Sequence, residues 1–98
     1  LLPPQQQRVL QAVPDPAAAI AGISDPLSRL VAAGVLLRSG RADPAVLTLA
    51  VDTASAQGWR RPLLAWLGVQ AMRAEQVGAA TEAQRLRRRM DLVQQSQP

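Results

Sequence analysis

Aspartate–proline pairs and single glycines divide this sequence into segments of helical length. The Asp-Pro pairs stand at positions 15–16, 25–26 and 43–44, and glycines stand at positions 40, 58 and 78. Aspartate accepts hydrogen bonds from the free N–H groups of a first helical turn, and proline fits the first helical position. Glycine commonly follows the last residue of a helix. The alternation therefore predicts a series of helices with defined starts and stops.

These signals predict helices separated by short turns, and no segment alternates apolar and polar residues as a strand would. We expect an all-α fold of five to six helices arranged as antiparallel hairpins, in a right-handed stack or a compact bundle. The expected organisation is an N-terminal segment with short helices at 1–24, a hairpin domain at 25–93 and a disordered tail at 94–98. The predicted helices are Pro16–Ile23, Pro26–Ser39, Pro44–Gln57, Pro62–Val77 and Ala80–Gln94. A Thr-Glu pair at 81–82 is expected to start the last of them.

The core of such a fold must be built almost without aromatic residues. The chain contains neither Phe nor Tyr, and its two tryptophans are Trp59 and Trp66. Leucine, valine and alanine suit close helix packing, whereas sheets favour aromatic and β-branched residues. Trp66 is expected to fill the core. Trp59 has two interpretations, a staple for the turn that precedes Pro62 and a partly exposed partner anchor, and the staple is favoured.

Hydrophobic periodicity predicts which helices are central. The helices at 26–39, 44–57 and 62–77 are apolar over most of their circumference, which is typical of helices that lie between others. On the first of these, Leu27 falls in the apolar sector and Leu36 falls on the far side. The last helix has a narrow apolar stripe, so we expect it to lie outside. That stripe consists of Ala83, Leu86, Met90 and Val93.

The spacing of small residues repeats at an offset of 38 positions. It relates Gly40 to Gly78, and the same offset relates Ala33 to Ala71 and Ala45 to Ala83. With these residues, the segment 25–93 resembles the tetratricopeptide-repeat (TPR) family of helical hairpin arrays. The resemblance implies a right-handed stack and protein or peptide binding on a concave surface lined by the first helices. By that analogy the lining includes Leu30, Leu37, Arg38, Trp66, Met72 and Gln76.

The composition disfavours catalysis. The chain has no His, Cys or Tyr, and all eleven basic residues are Arg. These missing side chains are the usual general bases and activated nucleophiles. Glu75 and Glu82 form the one plausible carboxylate pair, and we expect both to pair with arginines instead. We therefore predict no enzyme activity, no cofactor and no metal site.

The excess of positive charge lies entirely in the second half of the chain. Residues 1–58 are neutral, and residues 59–98 carry the whole net charge of +4. Within the run 85–89, Arg87 and Arg89 are expected to flank the apolar stripe, whereas Arg85 and Arg88 point outward. Three interpretations stay open for this cluster: a solvated helix face, a contact with an acidic protein, and nucleic-acid or anionic-lipid binding. The solvated face is favoured.

We therefore predict a non-enzymatic protein–protein interaction or scaffold module within a larger chain or assembly. The partner is another protein or peptide of acidic character. The alternative is binding of nucleic acid or another polyanion through Arg60, Arg61, Arg73 and Arg85–Arg89, and a purely structural cap is a third reading. The predicted partner-binding residues are Arg38, Trp59, Arg60, Arg61, Trp66, Met72, Arg73, Gln76, Arg85 and Arg88.

The source and compartment are less constrained. An Arg-only, Ala-rich composition is typical of a high-GC bacterial genome, and both bacterial cytoplasm and periplasm remain open. Because residue 1 is Leu rather than Met, we expect a processed form or a domain of a longer protein. No apolar run approaches the roughly 18–20 residues that cross a bilayer.

Overall fold

A computed structural model describes residues 15–96 of the chain, and within this range the chain is all-α. No strand forms among the described residues, which confirms the predicted fold class. Residues 1–14, which include most of the predicted N-terminal segment, and residues 97–98 lie outside the described range. The five described helices are α1 (Pro16–Ala21), α2 (Pro26–Arg38), α3 (Pro44–Gln57), α4 (Arg60–Gln76) and α5 (Ala80–Gln95).

The first three helices begin at the predicted Asp-Pro pairs. Asp15 accepts a hydrogen bond from the backbone N–H of Ala18 at 3.1 Å. Asp25 and Asp43 accept equivalent bonds from residues 28 and 46, at 2.8 and 2.9 Å. Each carboxylate thereby satisfies a donor that the helix itself leaves without an acceptor. The sequence signal for helix starts is confirmed at all three places.

Three helices end in the same glycine turn. Gly58 has a φ of 69° and Gly78 has a φ of 78°, in the left-handed region where a side chain is strained. The residue after each glycine donates its N–H back to the helix, Trp59 to the carbonyl of Ala54 and Ala79 to that of Ala74. Gly40 ends α2 in the same way. The N–H of each glycine makes a second hydrogen bond to the helix. Together the two hydrogen bonds satisfy carbonyl groups at the helix end.

α4 begins two residues earlier than predicted, and α5 begins at the predicted Ala80 but without the expected cap. α4 starts at Arg60 rather than Pro62. Proline is tolerated there because the first four N–H groups of a helix have no intrahelical acceptor. α5 starts at Ala80 with Ala79 as its N-cap and no side-chain cap, so the expected role of Thr81 at the helix start is wrong. The glycine turn at Gly78 leads directly into α5, whose first backbone hydrogen bond runs from Ala83 to the carbonyl of Ala79.

Each helix packs against the next one along the chain, and α1 also packs against α3. Among the described helices, no other pair brings Cα atoms within 8 Å of each other. α4 therefore lies between α3 and α5, which confirms its predicted central place, and α5 packs on one side only. The structure shows antiparallel hairpins, and a repeat stack remains a prediction.

The core consists of leucine, valine, isoleucine and alanine around one large aromatic side chain. Trp66 is 9% exposed and lies in this core, as predicted. The largest side chains that are fully buried are Ile20, Leu36, Leu67 and Val46. Fully buried alanines from α2, α3 and α4 lie between them, and they are Ala32, Ala33, Ala50, Ala54 and Ala71.

The predicted buried face of α2 is wrong at two positions, although Leu30 and Val35, which belong to the predicted sector, are buried. Leu36, expected on the far side, is 0% exposed, and Leu27, expected in the buried sector, is 61% exposed. Apolar residues surround most of α2, so periodicity leaves its orientation undecided. The structure turns the side with Ala32 and Ala33 toward the core, where small side chains allow helices to approach closely.

Truncating the two leucines separately tests this orientation. Leu36→Ala should reduce the free energy of unfolding by about 2–5 kcal/mol, because it leaves a cavity in a packed core. Leu27→Ala, on the same helix, should change it by less than about 0.5 kcal/mol, because Leu27 is largely exposed. Urea unfolding followed by tryptophan fluorescence measures both. Equal losses would contradict the observed orientation of α2.

Two glycine substitutions should change the stability of the protein in opposite directions. Gly58→Ala should destabilise the protein by about 1–2 kcal/mol, because residue 58 has a left-handed backbone. Gly34→Ala should stabilise it by about 0.5–1 kcal/mol, because Gly34 lies inside α2. Its added Cβ would meet a terminal nitrogen of Arg38 at 3.7 Å, an ordinary contact. Thermal unfolding of both variants makes the comparison, and a shift in the same direction for both would count against it.

Asp25, which caps α2, should make the stability of the protein depend on pH. The pKa of Asp25 is lowered below 3.8, chiefly because the backbone N–H of Ser28 donates to its carboxylate. A lowered folded pKa means that this stabilisation is present above the unfolded pKa and is lost as pH falls through the folded pKa. Wild type should lose stability below about pH 4, whereas Asp25→Asn, which keeps a capping oxygen, should lose less. Urea unfolding at neutral and acidic pH tests this, and parallel losses would refute it.

Candidate functional site

An apolar groove opens where the start of α3, the end of α4 and the start of α5 meet. It lies between α3 and α5, which both pack against α4 while their own Cα atoms stay more than 8 Å apart. Its volume is about 350 Å³, within the range of ordinary ligand sites. The apolar side chains of its lining include Leu47, Ala74, Val77 and Leu86.

The edge of this groove is open to solvent. Val77, the residue just before the Gly78 turn, is 79% exposed, the highest value among the exposed large apolar residues of the described chain. Thr48 also lines the groove, and its hydroxyl donates to the carbonyl of Pro44 within α3. This bond leaves the methyl group of Thr48 as an additional apolar surface. The groove therefore offers apolar contact area with few polar groups.

Arg73 stands between this groove and a second cavity. Its Nη1 atom donates a hydrogen bond to the carbonyl oxygen of Ala42, which joins α4 to the turn between α2 and α3. The second cavity has a volume of about 520 Å³, and its lining includes Arg41, Asp43 and again Arg73. A half-buried guanidinium is thus held at one end of an apolar groove.

The remaining charge on the groove, Glu82, is bound to a neighbour on its own helix. Arg85 donates two hydrogen bonds to its carboxylate, at 2.9 and 2.5 Å. These bonds lower the pKa of Glu82 and raise the pKa of Arg85. Both side chains are exposed, so the pair adds little to stability, but it leaves Glu82 without an uncompensated charge.

A second ion pair joins α4 to α5. Arg87 lies 2.9 Å from Glu75, so the expectation that both glutamates pair with arginines is confirmed. Two of the four clustered arginines are therefore neutralised. Within residues 15–96, Arg88 and Arg89 form no ion pair with an acidic residue, and Arg88 is exposed.

Charges of both signs alternate beside this second pair. A depression of about 550 Å³ between α4 and α5 is bordered by Arg87 and Arg88 and also by Glu75 and Asp91. Nucleic acids are held mainly by concentrated positive charge that neutralises phosphates. The arrangement here is mixed and offers no continuous basic surface at that depression.

The structure scatters the predicted partner-binding residues over several surfaces. Trp59 packs against the core at the turn between α3 and α4, as the staple interpretation expects, and Trp66 is buried and offers a partner little surface. Arg60 is half-buried, and Arg85 is engaged with Glu82. The exposed members of the set are Arg38, Arg61, Met72, Gln76, Arg85 and Arg88.

Of the predicted residues, Arg73 is the one that lines the groove. Sequence reasoning missed Leu47, Val77 and Leu86 as lining residues, and Leu47 and Leu86 were missed because each fits the apolar pattern of its helix. One signal was present for Val77, since it falls off the main apolar side of its helix and directly precedes a helix-ending glycine.

No group of three or more acidic residues is brought together in residues 15–96 in a way that could hold a metal ion. None of the helices in that range combines the length and hydrophobicity needed to cross a lipid bilayer.

Comparison of the chain with protein-family profiles, with curated proteins and with solved structures finds no match. The resemblance to tetratricopeptide repeats therefore stays a prediction from the residues that carry it. The geometry of the groove and its charges is the remaining guide to function.

Proposed function

We propose that this chain is a non-enzymatic protein-interaction module that holds an apolar segment of a partner protein in the groove between α3 and α5. The observation that carries this proposal is the apolar lining of the groove, in which Val77 is 79% exposed at the edge and Leu47 and Leu86 are each 3% exposed. Binding such a segment would remove apolar surface from water, which is the main driving force of association. Grooves between helices commonly receive an amphipathic helix in this way.

The framework around the groove suits a binding surface that keeps its shape. α4 packs against both neighbouring helices, and its residues Leu67 and Ala71 are fully buried. The hydrogen bond from Arg73 to Ala42 also joins α4 to the turn between α2 and α3. A preformed site loses less conformational entropy on binding than a flexible one.

Other classes of function have less support. The chain lacks His, Cys and Tyr, so acid–base and nucleophilic catalysis would lack their usual groups. Arg85 and Arg87 are paired with glutamates, which weakens the basic surface that nucleic-acid binding requires. The resemblance to tetratricopeptide repeats supports protein binding, as one part of a larger bacterial chain or assembly.

A fluorescent label on the groove tests the proposal directly. The chain has no cysteine, so Val77→Cys provides a unique attachment point at the groove edge. The probes are synthetic amphipathic peptides of about four helical turns that carry a leucine stripe. We expect the emission of a label at residue 77 to shift on titration, because the peptide shields it from water.

A matched label at residue 92 is the control. Leu92 is 64% exposed on α5 and does not line the groove, so Leu92→Cys should report no shift. Thr48→Arg, which places a charge on the groove wall, should weaken peptide binding at least about tenfold, whereas Leu92→Arg should not. Circular dichroism verifies that each variant is folded. Equal responses at both labels, or no response with any peptide, would refute the proposed function.

A further inference from the structure

The position of Arg73 indicates which kind of segment the groove would receive. Arg73 lines both the apolar groove and the adjoining cavity of Arg41 and Asp43. A guanidinium carries five N–H donors, and the contact with Ala42 accounts for one of them. Arg73 is therefore held in place and retains donors for an acceptor that enters from the groove.

The charges around the groove favour an anionic acceptor. Glu82 is bound by Arg85 through two hydrogen bonds, so this pair contributes no net charge to the lining. Asp43 accepts the N–H of Val46 as the cap of α3. Of the two charged residues that line the groove, Glu82 is therefore paired, whereas Arg73 forms no ion pair within residues 15–96. Arg73 leaves this lining positive.

We propose, on the basis of the proposed function, that the partner segment is an acidic amphipathic peptide. Its apolar side chains occupy the groove of Leu47, Val77 and Leu86, and an Asp or Glu next to them pairs with Arg73. The planar guanidinium matches a carboxylate through two parallel hydrogen bonds. The groove and Arg73 together therefore select a partner that has both an apolar stripe and a negative charge at one end of that stripe.

This pairing should discriminate strongly between peptide charges. Arg73 is half-buried, so solvent screens its contacts less than those of the exposed arginines on α5. A hydrogen bond to a charged group changes affinity by about 10- to 100-fold. A peptide with lysine at the same place would meet Arg73 as a like charge and should bind more weakly than a neutral peptide.

The experiment compares three synthetic peptides that share one leucine stripe and carry Glu, Gln or Lys at the end of the stripe. Binding is followed through the label at residue 77 in otherwise wild-type protein, in Arg73→Gln and in Arg88→Gln. We expect the order Glu, Gln, Lys in wild type, with at least about tenfold between Glu and Lys. Arg73→Gln should remove most of this preference, because it removes the charge that would pair with the Glu side chain.

Arg88→Gln is the charge-matched control, because Arg88 is exposed and does not line the groove. It should preserve the preference for the Glu peptide. Retention of the preference in Arg73→Gln, or its loss in Arg88→Gln, would overturn the assignment of Arg73. The thermal midpoint and circular dichroism of both variants distinguish a lost charge from a lost fold.

The outcomes separate this inference from the proposed function. If no peptide shifts the label, the groove is not a protein-binding site and both proposals fail. If all three peptides bind equally, or Lys is preferred, the groove binds protein but the acidic partner is wrong. A duplex DNA of unrelated sequence serves as a competitor. The polyanion interpretation predicts that both wild type and Arg73→Gln bind the DNA more tightly than the peptides, with an affinity that falls as salt is raised. That result would overturn both proposals.

Discussion

Close approach of helices through alanine is the constraint on which the rest of this structure depends. Fully buried alanines occur on α2, α3 and α4, and the described core contains a single buried aromatic side chain, Trp66. Alanine loses no side-chain entropy on burial and brings helix axes near each other. Dispersion contacts then come from closely spaced backbones as well as from leucine side chains. A chain without Phe or Tyr thereby obtains a packed core.

The groove is a consequence of the same packing. α3 and α5 both pack against α4, and the Cα atoms of α3 and α5 do not come within 8 Å of each other. The glycine turn at Gly78 places Val77 at this uncovered end, and the bond from Arg73 to Ala42 holds the neighbouring turn beside it. The candidate site thus draws on three helices and two turns, all positioned by the core.

The arginine run on α5 makes one ion pair that helical spacing explains and one that depends on tertiary packing. Glu82 and Arg85 are three residues apart on one helix, so their contact follows from helical spacing. Arg87 reaches Glu75 across the turn between two helices, and this contact depends on how α4 and α5 pack. The sequence predicted that both glutamates pair with arginines. Arg73 was one of ten predicted partner-binding residues, but the sequence did not distinguish it from the others, and only the packing of the helices places it on the groove.

Helix starts and stops were readable from the sequence because their causes are local. The Asp-Pro pairs and the glycine turns act through hydrogen bonds that span at most five residues, as at Asp43 and Gly58. The all-α class, the buried Trp66 and the central place of α4 followed from the same patterns. The buried face of α2 and the groove did not, because a helix that is apolar all round has no preferred side until its neighbours cover one. Tertiary packing therefore decided that Leu36 is buried, that Leu27 is exposed, and that Val77 borders an open surface.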